Sequence, residues 1–98
     1  MNIKITARKF KAHQTLKEFV SNEISSLEKY YDNIMNAEVV LSYTKPNNSV
    51  KNAEIILQIP GQTLKAKEES DDFNKSIASS VNKIKSQLKK FRSKQIAH

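Results

Sequence analysis

The residues of this sequence best suited to chemistry are cations, which occur in close succession near its end. Residues 73–98 carry seven basic side chains and no acid, whereas residues 1–72 carry ten of each sign. The whole formal charge of +7 therefore belongs to the final segment. Lysine makes up 15 of the 17 basic residues, and its ammonium group suits phosphate contacts, whereas bidentate base reading favours arginine. The pattern predicts a partner with many phosphates, such as a nucleic acid.

A helix face that is merely solvated is the alternative explanation of this basic segment. Solvated helices usually mix both signs of charge, because Glu and Lys four residues apart attract each other. The absence of acids after residue 72 argues against that alternative. A smaller basic segment lies in a predicted loop near the start of the chain. The residues that we expect to bind RNA come from these two segments: Lys83, Lys85, Lys89, Lys90, Arg92, Lys94, Arg8 and Lys9.

Residues that support catalysis or hold a metal or cofactor are scarce. The chain has no cysteine, which excludes thiolate metal sites, and its single glycine excludes a Gly-rich phosphate loop. The two histidines, His13 and His98, lie in a loop and at the terminus. The acids of the stretch 68–72 could hold a metal, but the dipole of a following helix explains them more simply. We therefore expect neither an enzyme nor a bound cofactor.

The elements that must position the basic residues can be predicted from hydrophobic periodicity. A helix over about 71–94, capped by Ser70, is predicted by apolar residues at steps of three and four: Phe73, Ile77, Val81, Ile84, Leu88 and Phe91. With this stripe turned inwards, the cations divide between two flanks. Lys83, Lys90 and Lys94 lie on one flank, and Lys85, Lys89 and Arg92 lie on the other.

The rest of the chain predicts one short strand, one helix and three further strands. Ile3 and Ile5 mark the first strand. Residues 15–18 have the spacing of a capping box, and apolar residues follow at helical spacing through about Tyr31. Alternation over 37–44, 52–59 and 62–68 predicts an antiparallel meander with turns at 46–48 and 60–61. Tyr31 and Tyr43 follow the apolar pattern and should pack in the core, whereas the pattern leaves Tyr30 undecided.

These elements predict an α+β fold in the order β-α-β-β-β-α, with two helices on one face of a four-stranded sheet. The plan is like that of a double-stranded-RNA-binding domain with an extra strand in front. Ninety-eight residues suffice for a single domain over 1–98, with an ordered core at about 2–94. No apolar run could span a membrane, and residues 1–4 do not begin a signal peptide. We expect a cytoplasmic protein without a membrane partner.

Several stretches of the chain resemble the ribosome hibernation-promoting factor family, which includes the ribosome-associated inhibitor and the ribosomal subunit interface protein. The matching stretches are IKITAR at 3–8, LKEFV at 16–20, LEKYYD at 27–32 and KIKSQLKK at 83–90. The resemblance extends over essentially the whole chain in the same element order. The L-E-x-Y-[FY]-D pattern at 27–32 is its most distinctive part.

The resemblance implies a non-enzymatic domain that binds ribosomal RNA of the small ribosomal subunit between head and body. Such a domain covers the decoding channel and inhibits translation under stress or in stationary phase. The chain resembles a short form without the C-terminal dimerisation domain of long members, so that pairing of ribosomes would need a second, ribosome-dimerising factor.

The resemblance also implies which residues touch RNA. Arg8 matches a basic position after the first strand, and four residues match basic positions of the second helix: Lys83, Lys90, Arg92 and Lys94. The chain departs from the family at Ala7, usually glycine, and at Ser86, often basic. It departs again at Glu23 and Ser26, where the first helix usually offers lysines. We therefore expect the first helix to contribute less and the second helix to contribute more.

Two other functions are compatible with the residues alone. One is a general RNA- or DNA-binding accessory protein that acts away from ribosomes. The other is an interaction module whose basic helix meets an acidic protein partner, such as a transcription factor.

Overall fold

Four strands and two helices follow one another in the predicted order. The computed structural model of the protein describes residues 1–44 and 50–96, and the side chains among them up to residue 91. The elements are β1 (Asn2–Ala7), α1 (Gln14–Ser25) with a 3-10 turn (Ser26–Lys29), β2 (Asn36–Thr44), β3 (Val50–Ile59), β4 (Gln62–Ser70) and α2 (Phe73–Ile96). The α+β fold in the order β-α-β-β-β-α is confirmed. The predicted turn at 46–48 lies outside the described residues.

The strands form one sheet in the order β1-β2-β3-β4. β1 is parallel to β2, which requires a crossover connection, and α1 supplies it. The pairs β2–β3 and β3–β4 are antiparallel, as a meander requires. Ile59 pairs with Gln62 across the predicted turn at Pro60-Gly61. Gly61 has φ 78°, a conformation that glycine adopts without the steric cost of a Cβ.

Both helices pack on the same face of the sheet, and the core lies between the two layers. Alternate residues of the strands point into it, so that Val39, Ile55 and Leu57 are fully buried. The predicted stripe of α2 covers them, and Ile84 and Leu88 are likewise fully buried. The opposite face of the sheet carries mainly polar side chains. Among the described helices, none is long and apolar enough to cross a bilayer.

Two buried serines join α2 to the sheet. Ser76 Oγ donates a hydrogen bond to the carbonyl oxygen of Lys51 (2.7 Å), and Ser80 Oγ donates one to that of Ala53 (3.0 Å). Both acceptors belong to β3. Because serine is small, the helix can approach this strand closely while its hydroxyl groups remain paired. The first half of α2 is therefore fixed by hydrogen bonds as well as by apolar packing.

The structure corrects the predicted start and end of α1. The N-cap is His13, without a side-chain capping bond, and Thr15 lies inside the helix, so the capping box is not formed. The loop before the helix determines where it begins, because Ala12 is buried and Phe10 packs against the core. The helix also ends earlier than Tyr31. At its end, Ser26 Oγ donates a hydrogen bond to the carbonyl oxygen of Glu23 (2.6 Å), and the 3-10 turn follows.

The cap of α2 also differs from the prediction. Ser70 is the last residue of β4, and the helix begins at Phe73. The backbone N–H of Asn74 donates to Asp72 Oδ1 (3.0 Å), so Asp72 caps the helix. The strand continues two residues further than expected because Ser70 still pairs with Lys51 of β3.

Candidate nucleic-acid interface

The basic residues of α2 are presented by the side of the helix that faces away from the core. The buried stripe holds this helix against β3 and β4, which leaves Lys83, Lys89 and Lys90 exposed and Lys85 half-buried. The backbone of such an amphipathic helix cannot rotate without exposing its apolar stripe, so the Cα atoms of its lysines have fixed positions relative to the sheet. The backbones of Arg92 and Lys94 lie in the last turns of α2, and their side chains lie outside the described set.

The flank of α2 that faces β4 carries a neutralised lysine. Lys83 Nζ lies 2.5 Å from Glu68 Oε2, and the side chains are 58% and 29% exposed. Glu68 reaches the helix because its register partner is Ala53, which points into the core layer. An ion pair this exposed is worth only about 0–1 kcal/mol, but it still sets a carboxylate beside the cation. An incoming phosphate must therefore compete with Glu68 for Lys83.

The flank that faces the 3-10 turn carries two lysines beside an aromatic ring. The distances to the centroid of the Tyr30 ring are 5.6 Å for Lys85 Nζ and 5.4 Å for Lys89 Nζ. Both distances are within the range of a cation–π interaction. The prediction that Lys85 and Lys89 share a flank opposite Lys83 is therefore confirmed. The role of Tyr30, which the sequence left open, is to lie beneath these two cations.

The loop after β1 holds a second group of basic residues in a defined conformation. The backbone N–H of Arg8 donates to the carbonyl oxygen of Leu41 (2.9 Å), which continues the pairing of β1 with β2. Lys9 adopts φ 63°, a left-handed conformation that costs a non-glycine residue free energy. This turn brings Phe10 back against the protein, where its ring stacks on that of Phe73 at 5.2 Å.

Three aromatic rings anchor that loop at the N-terminal end of α2. The Tyr43 ring meets those of Phe10 and Phe73 edge-on, at centroid distances of 5.0 Å and 5.2 Å. Such pairs add about 0.5–1.5 kcal/mol beyond the area they bury. Tyr43 thus packs with the core as predicted. So does Tyr31, whose ring meets that of Phe91 edge-on at 5.7 Å.

The structure does not bring the two predicted basic segments into one cluster. The loop touches α2 at Phe73, and Lys83 follows ten residues later, which is about 15 Å along a helix. Arg8 and Lys9 are exposed at one end of the molecule, and the lysines of α2 occupy its second half. The candidate interface therefore consists of two separate cationic surfaces on the helical side.

The acidic stretch 68–72 has structural partners rather than the arrangement of a metal site. Glu68 pairs with Lys83, Asp72 caps α2, and Asp71 Oδ1 lies 3.2 Å from Lys75 Nζ. This neighbouring ammonium lowers the pKa of the exposed Asp71 carboxyl. Within the described ranges, no three residues among His, Asp and Glu converge on a point where a metal could bind.

Sequence reasoning missed both contacts that distinguish the flanks of α2. The position of Glu68 against Lys83 depends on the register of β4, and that of Tyr30 depends on how the 3-10 turn packs. The spacing of Lys85 and Lys89 was the only signal for the second contact, since residues four apart are neighbours on a helix. Glu23 of α1 and Ser26 of the 3-10 turn carry no positive charge, and the Ser26 hydroxyl donates to the carbonyl oxygen of Glu23.

Fold and surface together define a class of protein: a small α+β domain that carries a row of lysines on its helical layer. Comparison of the chain with known families and structures identifies its family within that class. Residues 3–96 match the family described as Sigma 54 modulation protein / S30EA ribosomal protein. The chain belongs to this family, whose members include the ribosome hibernation-promoting factors.

Relatives and solved structures agree with this assignment. The chain is 30% identical over 95 residues to the ribosome hibernation promoting factor of Pseudomonas putida, covering 97% of this chain and 90% of that protein. It is 26% identical to the ribosome hibernation promotion factor of Deinococcus radiodurans, covering 92% of this chain and 48% of that protein.

Among solved structures, the ribosomal subunit interface protein of Coxiella burnetii superposes with a TM-score of 0.85 at 25% identity, over 95% of this chain and 99% of that one. The N-terminal domain of Protein Y from Thermus thermophilus superposes with a TM-score of 0.83 at 29% identity, over 93% of this chain and 99% of that one.

Proposed function

We propose that this protein is a ribosome hibernation factor that binds RNA of the small ribosomal subunit near the decoding channel and inhibits translation under stress or in stationary phase. The observation that carries the proposal is the concentration of the whole net charge in residues 73–98, the segment of α2, in a chain of this family. The names of its relatives in Pseudomonas putida and Coxiella burnetii refer to ribosome hibernation and to a subunit interface, and they support the same function.

The proposed mechanism is occlusion rather than catalysis. The apolar stripe and the buried serines hold α2 on the sheet, so the helix itself need not be ordered when its lysines meet phosphates. Binding energy comes mainly from the release of counterions condensed on the RNA. A domain held in this way in the decoding channel excludes messenger and transfer RNA by volume alone, and it needs no cofactor. Its place of action is the cytoplasm.

The dependence of binding on salt tests the electrostatic part of the proposal. If about five phosphates are neutralised, a plot of log affinity against log salt should have a slope of roughly −4. The measurement is co-sedimentation of the purified protein with bacterial small ribosomal subunits through sucrose at a series of salt concentrations. A flat dependence would contradict phosphate binding. A protein that remains at the top of the gradient, also with starved-cell ribosomes, would favour the general nucleic-acid or protein-partner functions instead.

Charge reversal tests which surface is used. We expect the triple variant Lys83→Glu, Lys90→Glu, Arg92→Glu to lose binding to small subunits while its circular dichroism spectrum stays unchanged and its melting temperature falls only slightly, because the exposed pair of Lys83 with Glu68 is lost. The matched control reverses three lysines on the opposite face of the sheet: Lys4→Glu, Lys65→Glu and Lys67→Glu. Both variants change the net charge equally, so a difference between them reports position. Equal binding by the two variants would mean that α2 is not the contact surface.

A further inference from the structure

Lys85 and Lys89 form a close pair of like charges on α2. They are four residues apart, which places their Cβ atoms about 6 Å from each other on one side of the helix. Like charges at this spacing repel each other and weaken a helix. Here both ammonium groups lie over the ring of Tyr30, at 5.6 and 5.4 Å from its centroid. The negative face of the ring offsets part of that repulsion and keeps the two cations near one point.

No carboxylate neutralises this pair in the part of the chain that the structure describes. The ion pairs there involve Lys75 and Lys83, and neither Lys85 nor Lys89 takes part in one. The acids that flank Tyr30 in the sequence, Glu28 and Asp32, are exposed and form no ion pair among the described residues. Because an aromatic ring carries no net charge, it leaves the charges of the two lysines uncancelled.

The ring also fixes where these charges lie. A lysine side chain loses considerable conformational freedom when it binds an anion, and part of this loss has already occurred where the ammonium rests on a ring. The ring itself is held in place because Tyr30 packs against the core cluster. Two ammonium groups held beside one ring are suited to contact the phosphate groups of a nucleic-acid backbone.

We propose that Tyr30, Lys85 and Lys89 form a phosphate-binding subsite for RNA, distinct from the Lys83 flank of α2. In this subsite the two lysines contact phosphate oxygens, and Tyr30 is a positioning residue that holds them. The inference rests on the proposed function for its ligand. It goes beyond that function because it assigns a phosphate contact to the flank of α2 opposite Lys83. The helix would then touch RNA on both flanks.

The test compares two lysine pairs that carry the same charge. The variant Lys85→Gln, Lys89→Gln should bind small ribosomal subunits roughly tenfold more weakly than the wild type, with a salt slope smaller in magnitude by about 1.5. The control Lys65→Gln, Lys67→Gln removes two charges from β4, where they point away from the helices. It should bind within about twofold of the wild type. If the two variants bind alike, the subsite does not exist.

The role of Tyr30 is tested by changing its ring. Tyr30→Phe keeps the aromatic face and should retain binding, whereas Tyr30→Leu removes it and should weaken binding about threefold. Tyr31→Leu is the matched control, because Tyr31 is also half-buried but packs on Phe91 instead of on lysines. Thermal melts identify any loss caused by unfolding. Equal affinities for Tyr30→Leu and Tyr31→Leu, both folded, would overturn the positioning role.

A second probe separates this inference from the function on which it rests. The same variants are titrated with a single-stranded RNA oligonucleotide of mixed sequence, followed by fluorescence anisotropy. If the wild type fails to bind subunits while the oligonucleotide still distinguishes the two lysine pairs, the proposed function fails and the subsite stands. If the wild type binds subunits and neither probe distinguishes the pairs, the function stands and the subsite is excluded.

Discussion

The two flanks of α2 carry the same kind of residue in opposite surroundings. On the side of β4, the ammonium of Lys83 meets the carboxylate of Glu68. On the side of the 3-10 turn, Lys85 and Lys89 meet the neutral ring of Tyr30. A carboxylate cancels a charge, whereas a ring positions a charge without cancelling it. The difference teaches that the number of lysines on a helix does not measure its attraction for RNA, because neighbours on other elements decide how much charge is available.

Reversing the charges of one flank of α2 at a time should cause the largest changes in affinity for small ribosomal subunits. Lys85→Glu, Lys89→Glu should lower affinity for small subunits on the order of 100-fold, because two unpaired cations become repulsive to phosphate. Lys83→Glu, Lys90→Glu should lower it less, roughly 20-fold, because Glu68 already offsets part of the charge of Lys83. Both double variants change the net charge equally. Equal losses in a filter-binding assay would mean that the pair with Glu68 has no effect on RNA binding.

Removing the carboxylate of Glu68 should make the charge available on the two flanks of α2 more alike. Glu68→Gln frees Lys83, and we expect affinity to rise about threefold with a salt slope steeper by nearly one. Glu69→Gln is the control, since Glu69 pairs with Asn52 in register and belongs to the opposite face of the sheet. Its charge change is the same, so it should alter affinity much less. A gain of equal size in both variants would reflect net charge alone.

In the loop after β1, Lys9 is placed by a left-handed backbone conformation, whereas the lysines on the flanks of α2 have side-chain neighbours. Lys9→Gly removes the cost of a left-handed non-glycine residue, about 1–2 kcal/mol, and the greater freedom of glycine in the unfolded chain offsets about half of this gain. The free energy of unfolding should therefore rise by roughly 0.5–1 kcal/mol. The substitution should also weaken binding to subunits about twofold, because one exposed cation is lost. Lys11→Gly is the control for the charge. Urea unfolding and subunit binding measure the two effects, and a destabilised glycine variant would contradict the strain at Lys9.

The ion pair of Asp71 and Lys75 at the start of α2 should give the smallest effect, a change in thermal stability. Lys75 lowers the pKa of Asp71 in the folded protein below its unfolded value. The resulting stabilisation is therefore present above the unfolded pKa and is lost as the pH falls through the folded pKa. Asp71→Asn should remove this acid-side dependence, but the shift in melting temperature should be small because both side chains are well exposed. Melts between neutral and acidic pH measure it. A large shift would mean that the pair is stronger than its exposure indicates.

The sequence predicts the elements of this fold better than their ends. The stripe from Phe73 to Leu88 is regular enough to identify α2, and its angular positions correctly separate Lys83 from Lys85 and Lys89. The caps at His13 and Asp72 were not predicted, because packing of Phe10 and pairing of Ser70 outweigh local capping preferences. The contacts of Glu68 and Tyr30 could not be predicted either, since each joins elements that are distant in the chain.

The hydrogen bonds of Ser76 and Ser80 to β3 have a consequence for the whole interface. Together with the apolar stripe, they set the rotation of α2 about its own axis and its distance from the sheet. A displacement by one residue would turn the helix by about 100°, which would carry one flank towards the sheet and the other away from its present neighbours. Two uncharged hydroxyl groups, which lie seven and three residues before Lys83 on the helix, therefore help to maintain the difference between a cancelled charge and an available one.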